Sequence, residues 1–274
     1  MAEVCYRHPK RETNVHCSNC GRPICPDCMT VTPVGMRCPE CARQRTRVTR
    51  MAPGIHLGRA PATYVLIALN VVGFLAEVAT GSPLGLGFTF EASGSVFQHY
   101  SLFGPAVANG EWYRLITAGF LHAGLVHIAF NMFALYILGS LLEPGIGTPR
   151  FLAVYFVSLL AGSFGALLLT PHTPSLGASG AVFGVMSAAF IVARHRGVDQ
   201  LASQIGFYII INIVFTLGVR DISVGAHFGG LIAGALCALL IVYSEQRARR
   251  PVELEVIGMA ALAAISVAGA LAVA

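Results

Sequence analysis

Four side chains in this sequence could together perform acyl transfer. His127 and Asn131 are four residues apart, so on a helix they share one face, one turn above the other. Ser179 stands in Gly177-Ala-Ser179-Gly180-Ala-Val-Phe183-Gly184, and His227 in Gly225-Ala-His227-Phe-Gly-Gly230, with Gly234 one turn further on. A serine hydroxyl is a weak nucleophile at its own pKa and requires a base within hydrogen-bond reach, which an imidazole supplies near neutral pH. His227 is the candidate base. A tetrahedral intermediate also requires donors aimed at its oxyanion; the Ser179 backbone N–H at a helix start, His127 and the Asn131 amide offer three. No carboxylate completes a triad, because Asp221 falls in a loop, so the pattern predicts a Ser179/His227 dyad that needs no cofactor.

A second chemistry lies before residue 42, where seven of the eight cysteines recur in pairs: Cys5 with His8, Cys17 with Cys20, Cys25 with Cys28, and Cys38 with Cys41. Eight soft ligands make two tetrahedral zinc sites with none left over. A piece of about 40 residues buries little core, so bound metal would supply its folding free energy. The alternative is a disulfide framework, which a reducing cytoplasm disfavours. A cross-braced pairing joins the first pair to the third and the second to the fourth, and His16, next to Cys17, competes with His8 as a ligand. The spacing resembles B-box-type zinc fingers, which implies a protein partner for this module.

The elements that position these groups follow from hydropathy. The chain has 55% hydrophobic and 11% charged residues over 274 positions and a mean hydropathy of +0.69, against about 25% charged residues in a soluble domain. One water-facing globule is excluded. After residue 60 come seven uncharged runs of spanning length, roughly 60–76, 115–142, 151–170, 176–193, 201–219, 222–244 and 256–274. The expectation is an all-α membrane protein: a double zinc-binding module over 1–45, a basic juxtamembrane linker over 46–59, six spans over 60–245, and a linker with a seventh span over 246–274. With the amino terminus in the cytoplasm, sixteen Lys and Arg lie inside and only Arg114 and Arg220 outside, so the charge rule sets that orientation and leaves the carboxyl terminus outside. Residues 1–50 hold no apolar signal region, which makes the first span an uncleaved anchor. Arg43, Arg45, Arg47 and Arg50 suit anionic lipid better than nucleic acid, and no nucleic-acid partner is expected.

In this topology the second, fourth and sixth spans run in the same direction, and His127, Asn131, Ser179 and His227 fall at one depth near their outer ends. Ionisable side chains at such depth are expensive and mark function. Gly180-xxx-Gly184 and Gly230-xxx-Gly234 make smooth stripes that let two helices approach closely, although ordinary packing uses the same pattern. A proton relay through His127 and His227, in a transporter or channel, is a competing use of these groups.

These residues resemble the rhomboid family of intramembrane serine proteases over roughly positions 60–245. Trp112-Tyr-Arg114 is similar to the family's W-x-R element, His122, His127 and Asn131 to its second-helix signature, Gly177-Ala-Ser179-Gly180 to G-x-S-G, and Ala226-His227-x-x-Gly230-x-x-x-Gly234 to the motif of the base helix. Gly139-x-x-x-Glu143 matches an element read as structural. The resemblance implies a six-helix rhomboid core plus one C-terminal transmembrane helix, in the plasma membrane, cleaving transmembrane protein substrates near the outer face through an active site open outward. It also implies His122 and Phe183 as substrate- or water-site residues, Phe183 standing where the family often carries tyrosine and keeping the stacking face. The loop 218–224 is a candidate lid and the fifth span a candidate lateral gate. The aromatic segment 81–114 lies at the lipid interface, either bracing the fold or guiding substrate. A noncatalytic rhomboid-like protein that binds membrane clients is the alternative function.

Overall fold

The computed structural model describes residues 3–32, 35–43, 60–85, 92–219, 222–246 and 251–274. The whole basic linker 46–59, Phe88 and Phe90 of the aromatic segment, Arg220, Asp221, Arg247, Arg249 and Arg250 lie outside the described residues, as does the side chain of Arg43. The chain divides into two compact units, 1–54 and 55–274.

The first unit carries two antiparallel hairpins, β1 (Glu3–Cys5) with β2 (His8–Thr13) and β3 (Thr30–Thr32) with β4 (Gly35–Arg37), followed by the single turn α1 (Pro39–Arg43). Its buried hydrophobic cluster is Ile24 and six cysteines. That is too little apolar area to order about 40 residues unaided. Ion pairs of Arg11 with Asp27 and of Arg22 with Glu40 lie on its surface, where they add little.

The second unit is helical, because backbone in a bilayer must satisfy its own hydrogen bonds. Its helices are α2 (Pro61–Ala79), the short α3 (Gly94–Tyr100), α4 (Gly104–Ala108) and α5 (Arg114–Thr117), then α6 (Leu125–Ile146), α7 (Thr148–Leu169), α8 (Ser179–His195), α9 (Asp199–Gly218), α10 (Val224–Gln246) and α11 (Pro251–Val273). Among the described residues six helices are long and apolar enough to cross a membrane, which makes this an integral membrane protein. Of the seven predicted spans, α8 is the one below that length, at 17 residues.

The predicted start of the second span is wrong by ten residues. Leu115–Gly124 is as apolar as a span, but it forms α5, a 3₁₀ turn at Ala118–Phe120 and a loop ending at Gly124, whose φ of 95° favours glycine. Helix α6 starts only at Leu125.

Helix α8 lies at the centre, packed by α7, α9, α10 and α6. Twelve of its 17 residues are buried, and most are Gly, Ala, Ser or Val. A Cβ on Gly230 would overlap the Gly180 carbonyl, and one on Gly234 would overlap Gly184. The two glycine stripes therefore face each other, with α7 closing the third side at Gly162 and Gly165. Helix α2 packs on α6. Glu143, fully buried at the end of α6, accepts the backbone N–H groups of Ala62 (3.0 Å) and Thr63 (2.8 Å) and the hydroxyls of Thr63 and Thr148, both at 2.8 Å. A carboxylate at those orphan donors completes the α2 terminus and meets its positive end. Gly139, one turn earlier, leaves the room that the Thr63 side chain fills. Helix α11 packs on α7 and α10, where Arg150 makes a two-pronged bond to the buried Glu255 at 2.8 Å per prong.

Candidate active site and metal clusters

Ser179 is the first residue of α8, and the loop before it is held from outside that helix. Gly177 has φ 126°, a conformation that excludes most side chains, and a Cβ there would meet the His127 ring at 2.9 Å. The Gly177 N–H donates to Ala118 O (2.9 Å), Ser175 and Leu102 exchange two backbone bonds of 2.9 Å, and Gly104 N–H reaches Pro171 O at 2.9 Å. The segment from α3 to α5 thus braces the serine loop. Arg114 is the buried pin of that brace, donating to the carbonyls of Gln98 (2.9 Å) and Ser101 (2.7 Å) and to Glu111 (2.7 Å). Hydrogen bonds from Tyr113 and Arg114 hold the Glu111 carboxyl below its ordinary pKa. Trp112, by contrast, is 62% exposed.

Close approach of α8 and α10 brings Ser179 Oγ and His227 Nε2 to 2.8 Å. Phe183, one turn below Ser179, stacks on the imidazole with ring centroids 4.2 Å apart and planes 20° apart. The other ring nitrogen, His227 Nδ1, lies 2.7 Å from Thr216 Oγ1 on α9.

His127 Nδ1 accepts the N–H of Ala123 at 3.3 Å. In the neutral ring this leaves the proton on Nε2, the nitrogen 3.0 Å from the position a Gly177 Cβ would take. Asn131 donates one amide hydrogen to His127 O at 3.0 Å, so the amide has a second one to give. His122 is fully buried and edge-on to His127 at 5.1 Å. Neither of its ring nitrogens has a partner among the described residues. Its backbone N–H donates to Glu77 Oε2 at 2.6 Å.

Sequence reasoning missed two participants. Glu77 was one residue past the predicted end of the first span, yet α2 runs on to Ala79 and buries it completely. Thr216 lies on the fifth span, where Asn212 and Thr216, four apart, are the polar pair nearest that helix's end; the cost of polar groups at membrane depth is the available signal.

The cysteine pairs gather as two separate sets, Cys5/His8/Cys25/Cys28 and Cys17/Cys20/Cys38/Cys41, each with its ligand atoms within 4.8 Å of one another. All eight cysteines are free thiols. His8 Nδ1 is 3.3 Å from both Cys25 Sγ and Cys28 Sγ and 3.8 Å from Cys5 Sγ, and Cys20 Sγ is 3.8 Å from Cys38 Sγ. Those are edge lengths of a tetrahedron with metal–ligand bonds of about 2.0–2.3 Å. The Cys38 N–H (3.3 Å) and the Asn19 amide (3.4 Å) point at the sulfurs of Cys17 and Cys41, as suits thiolates. Each set can hold a metal ion. His16 belongs to neither, its Nε2 lying 3.1 Å from the Glu3 carboxylate instead.

A serine and a histidine thus lie in contact where two tightly packed apolar helices begin, and known sequences bear on what such a pair belongs to. A sequence model of the rhomboid domain matches residues 109–244. The rhomboid protease GluP of Bacillus subtilis is 38% identical over 185 residues, 66% of this chain but only 35% of that protein. YdcA of the same organism, a provisionally named rhomboid protease, is 33% identical over 184 residues, 65% of this chain and 91% of its own length. Inactive rhomboid protein 1 of Drosophila melanogaster is 31% identical over 136 residues, 49% of this chain and 10% of that protein. The chain belongs to the rhomboid family.

Proposed function

We propose that this protein is an intramembrane serine endopeptidase that cuts transmembrane protein substrates near the outer face of the plasma membrane. The observation that carries the proposal is the 2.8 Å contact between Ser179 Oγ and His227 Nε2. Ser179 Oγ attacks the scissile carbonyl carbon while its proton passes to His227 Nε2. The C–N bond breaks, the leaving amine takes that proton, and water then resolves the acyl-enzyme with His227 as base again. The Ser179 N–H, His127 and Asn131 donate to the oxyanion, each worth about 3 kcal/mol of barrier. Phe183 holds the imidazole plane, while His122, fully buried against the His127 ring, backs that ring rather than lining water. The orientation follows the charge distribution: amino terminus in the cytoplasm, carboxyl terminus outside, site open outward. The first unit takes two structural zinc ions, since sulfur-rich tetrahedral sets select zinc, and its finger presents a surface to a protein partner.

The test is labelling of purified protein in lipid by a fluorophosphonate, alongside cleavage of a single-span reporter. Both vanish in Ser179→Ala and in His227→Ala. Cleavage by Ser179→Ala, or failure of the probe to label the wild type, overturns the proposal in favour of a noncatalytic client-binding protein.

A further inference from the structure

The base has a holder that is neither a carboxylate nor part of its own helix. Thr216 is buried near the end of α9, and its Oγ1 sits 2.7 Å from His227 Nδ1 and 2.7 Å from the Asn212 carbonyl oxygen one turn back. A hydroxyl has one hydrogen and two lone pairs. A carbonyl can only accept, and two oxygens 2.7 Å apart with no proton between them repel. The hydrogen of Thr216 therefore goes to Asn212 O, and its oxygen is left to accept. The only hydrogen that can fill the contact with His227 is one on Nδ1. In the neutral ring that places the second nitrogen, Nε2, bare and facing Ser179 Oγ at 2.8 Å. The opposite tautomer would present Nε2–H to the serine and could take no proton from it.

We propose that Thr216 is a positioning residue for the reaction: it selects the Nδ1–H tautomer of His227 and aims Nε2 at Ser179, the place a carboxylate occupies in a triad. The inference rests on the proposed Ser179/His227 chemistry. The holder suits a ring at membrane depth, where a carboxylate partner would bring a second charge to desolvate. The hydroxyl is neutral, and because its own hydrogen is given to a carbonyl, its oxygen is the more polarised toward the imidazolium that forms when His227 takes the serine proton. Phe183 fixes the ring plane by stacking, but stacking has no preference between the two tautomers. Thr216 supplies that preference, and from a different helix: α9 packs chiefly on α8 and only slightly on α10, while Val214, Phe215 and Leu217 around Thr216 point outward. The alignment of the base thus depends on where the end of α9 stands.

The experiment uses the full chain in lipid, with ¹⁵N-histidine spectra in which His227 is identified by its loss in His227→Gln, and fluorophosphonate labelling and reporter cleavage on the same preparations. In the wild type the His227 signals show a protonated Nδ1 and a bare Nε2. Thr216→Val, which keeps the shape without the hydroxyl, mixes the tautomers and slows labelling and kcat about tenfold, the rate equivalent of one neutral hydrogen bond, with KM unchanged. Thr216→Ser restores both the spectrum and the rate to within about threefold. A wild-type spectrum with Nε2 protonated overturns the inference, as does Thr216→Val labelling at the wild-type rate with the tautomer intact. The wild-type spectrum decides the matter even if Thr216→Val does not fold. Absence of wild-type labelling together with a protonated Nδ1 would instead strike the proposed chemistry and leave the Thr216 contact standing.

Discussion

Adding one methyl group at Gly230 should uncouple Ser179 from His227 without touching either. The Cβ of Gly230→Ala would overlap the Gly180 carbonyl oxygen and lie 2.6 Å from its carbon. Its obstacle is backbone, which cannot rotate aside. Taking that carbon to the 3.4 Å at which ordinary contact begins needs about 0.8 Å, and the oxygen lies nearer still, so the interface between α8 and α10 opens by at least that much. Gly180 adjoins Ser179 and Gly230 is three residues from His227, so nearly all of that displacement reaches the pair and takes their 2.8 Å separation beyond hydrogen-bond range. Misplacement on this scale costs about 10²-fold in rate, and overpacking of the interface costs about 1–3 kcal/mol of stability. The assay is the second-order rate of fluorophosphonate labelling in lipid, with thermal unfolding followed in parallel. Gly258→Ala is the comparator, because its Cβ meets the tip of the Leu240 side chain, at 2.7 Å from Cδ1, which can turn away. A folded Gly230→Ala protein that labels within about threefold of wild type would refute the claim that backbone contact between these helices sets the serine–histidine distance.

Glu143→Ala leaves the two N–H groups and two hydroxyls it caps without an acceptor; a loss of about 3 kcal/mol or more, read by thermal unfolding, is expected, whereas Thr63→Val should lose about 1. In the first unit, Cys28→Ser and Cys41→Ser each break one cluster, so elemental analysis should fall from two metal ions per chain to one in either variant. A strong chelator should unfold the β1–β4 hairpins in the wild type, and retention of the hairpins in metal-free protein would show that the clusters are not what holds them.

Much of this arrangement was legible because polar groups are costly in apolar spans, so the few present stand out. Charge counting and span lengths put His127, Asn131, Ser179 and His227 at one expected depth, and the glycine stripes pointed to the two helices that bring Ser179 and His227 to 2.8 Å. The cysteine spacing likewise gave four ligand pairs, enough for two sets of four, but which pairs join, and that His8 rather than His16 takes part, comes only from the folded hairpins. The features not legible in the sequence have physical reasons. Leu115–Gly124 reads as membrane helix by hydropathy, which does not register that Gly124 adopts a left-handed φ. Glu77 lies just past an apolar run that helical hydrogen bonding simply continues through. Thr216 is a threonine doing what threonines in apolar helices ordinarily do, bonding the carbonyl four residues back. Its second contact is made across helices and leaves no trace in local pattern.

The brevity of α8 has its own consequence. At 17 residues the helix is about 25 Å long, short of the roughly 30 Å hydrocarbon layer, whereas α10, at 23 residues, exceeds it at about 35 Å. In the proposed orientation Arg194 and Arg196 stand at one headgroup boundary, and the helix runs out about 5 Å before the other. Ser179 is the residue at which it runs out. On the proposed chemistry, how far water descends to Ser179 is therefore written as a count of residues, and lengthening α8 by one turn would lift the serine toward the headgroups, away from an imidazole that α10 keeps at its original level.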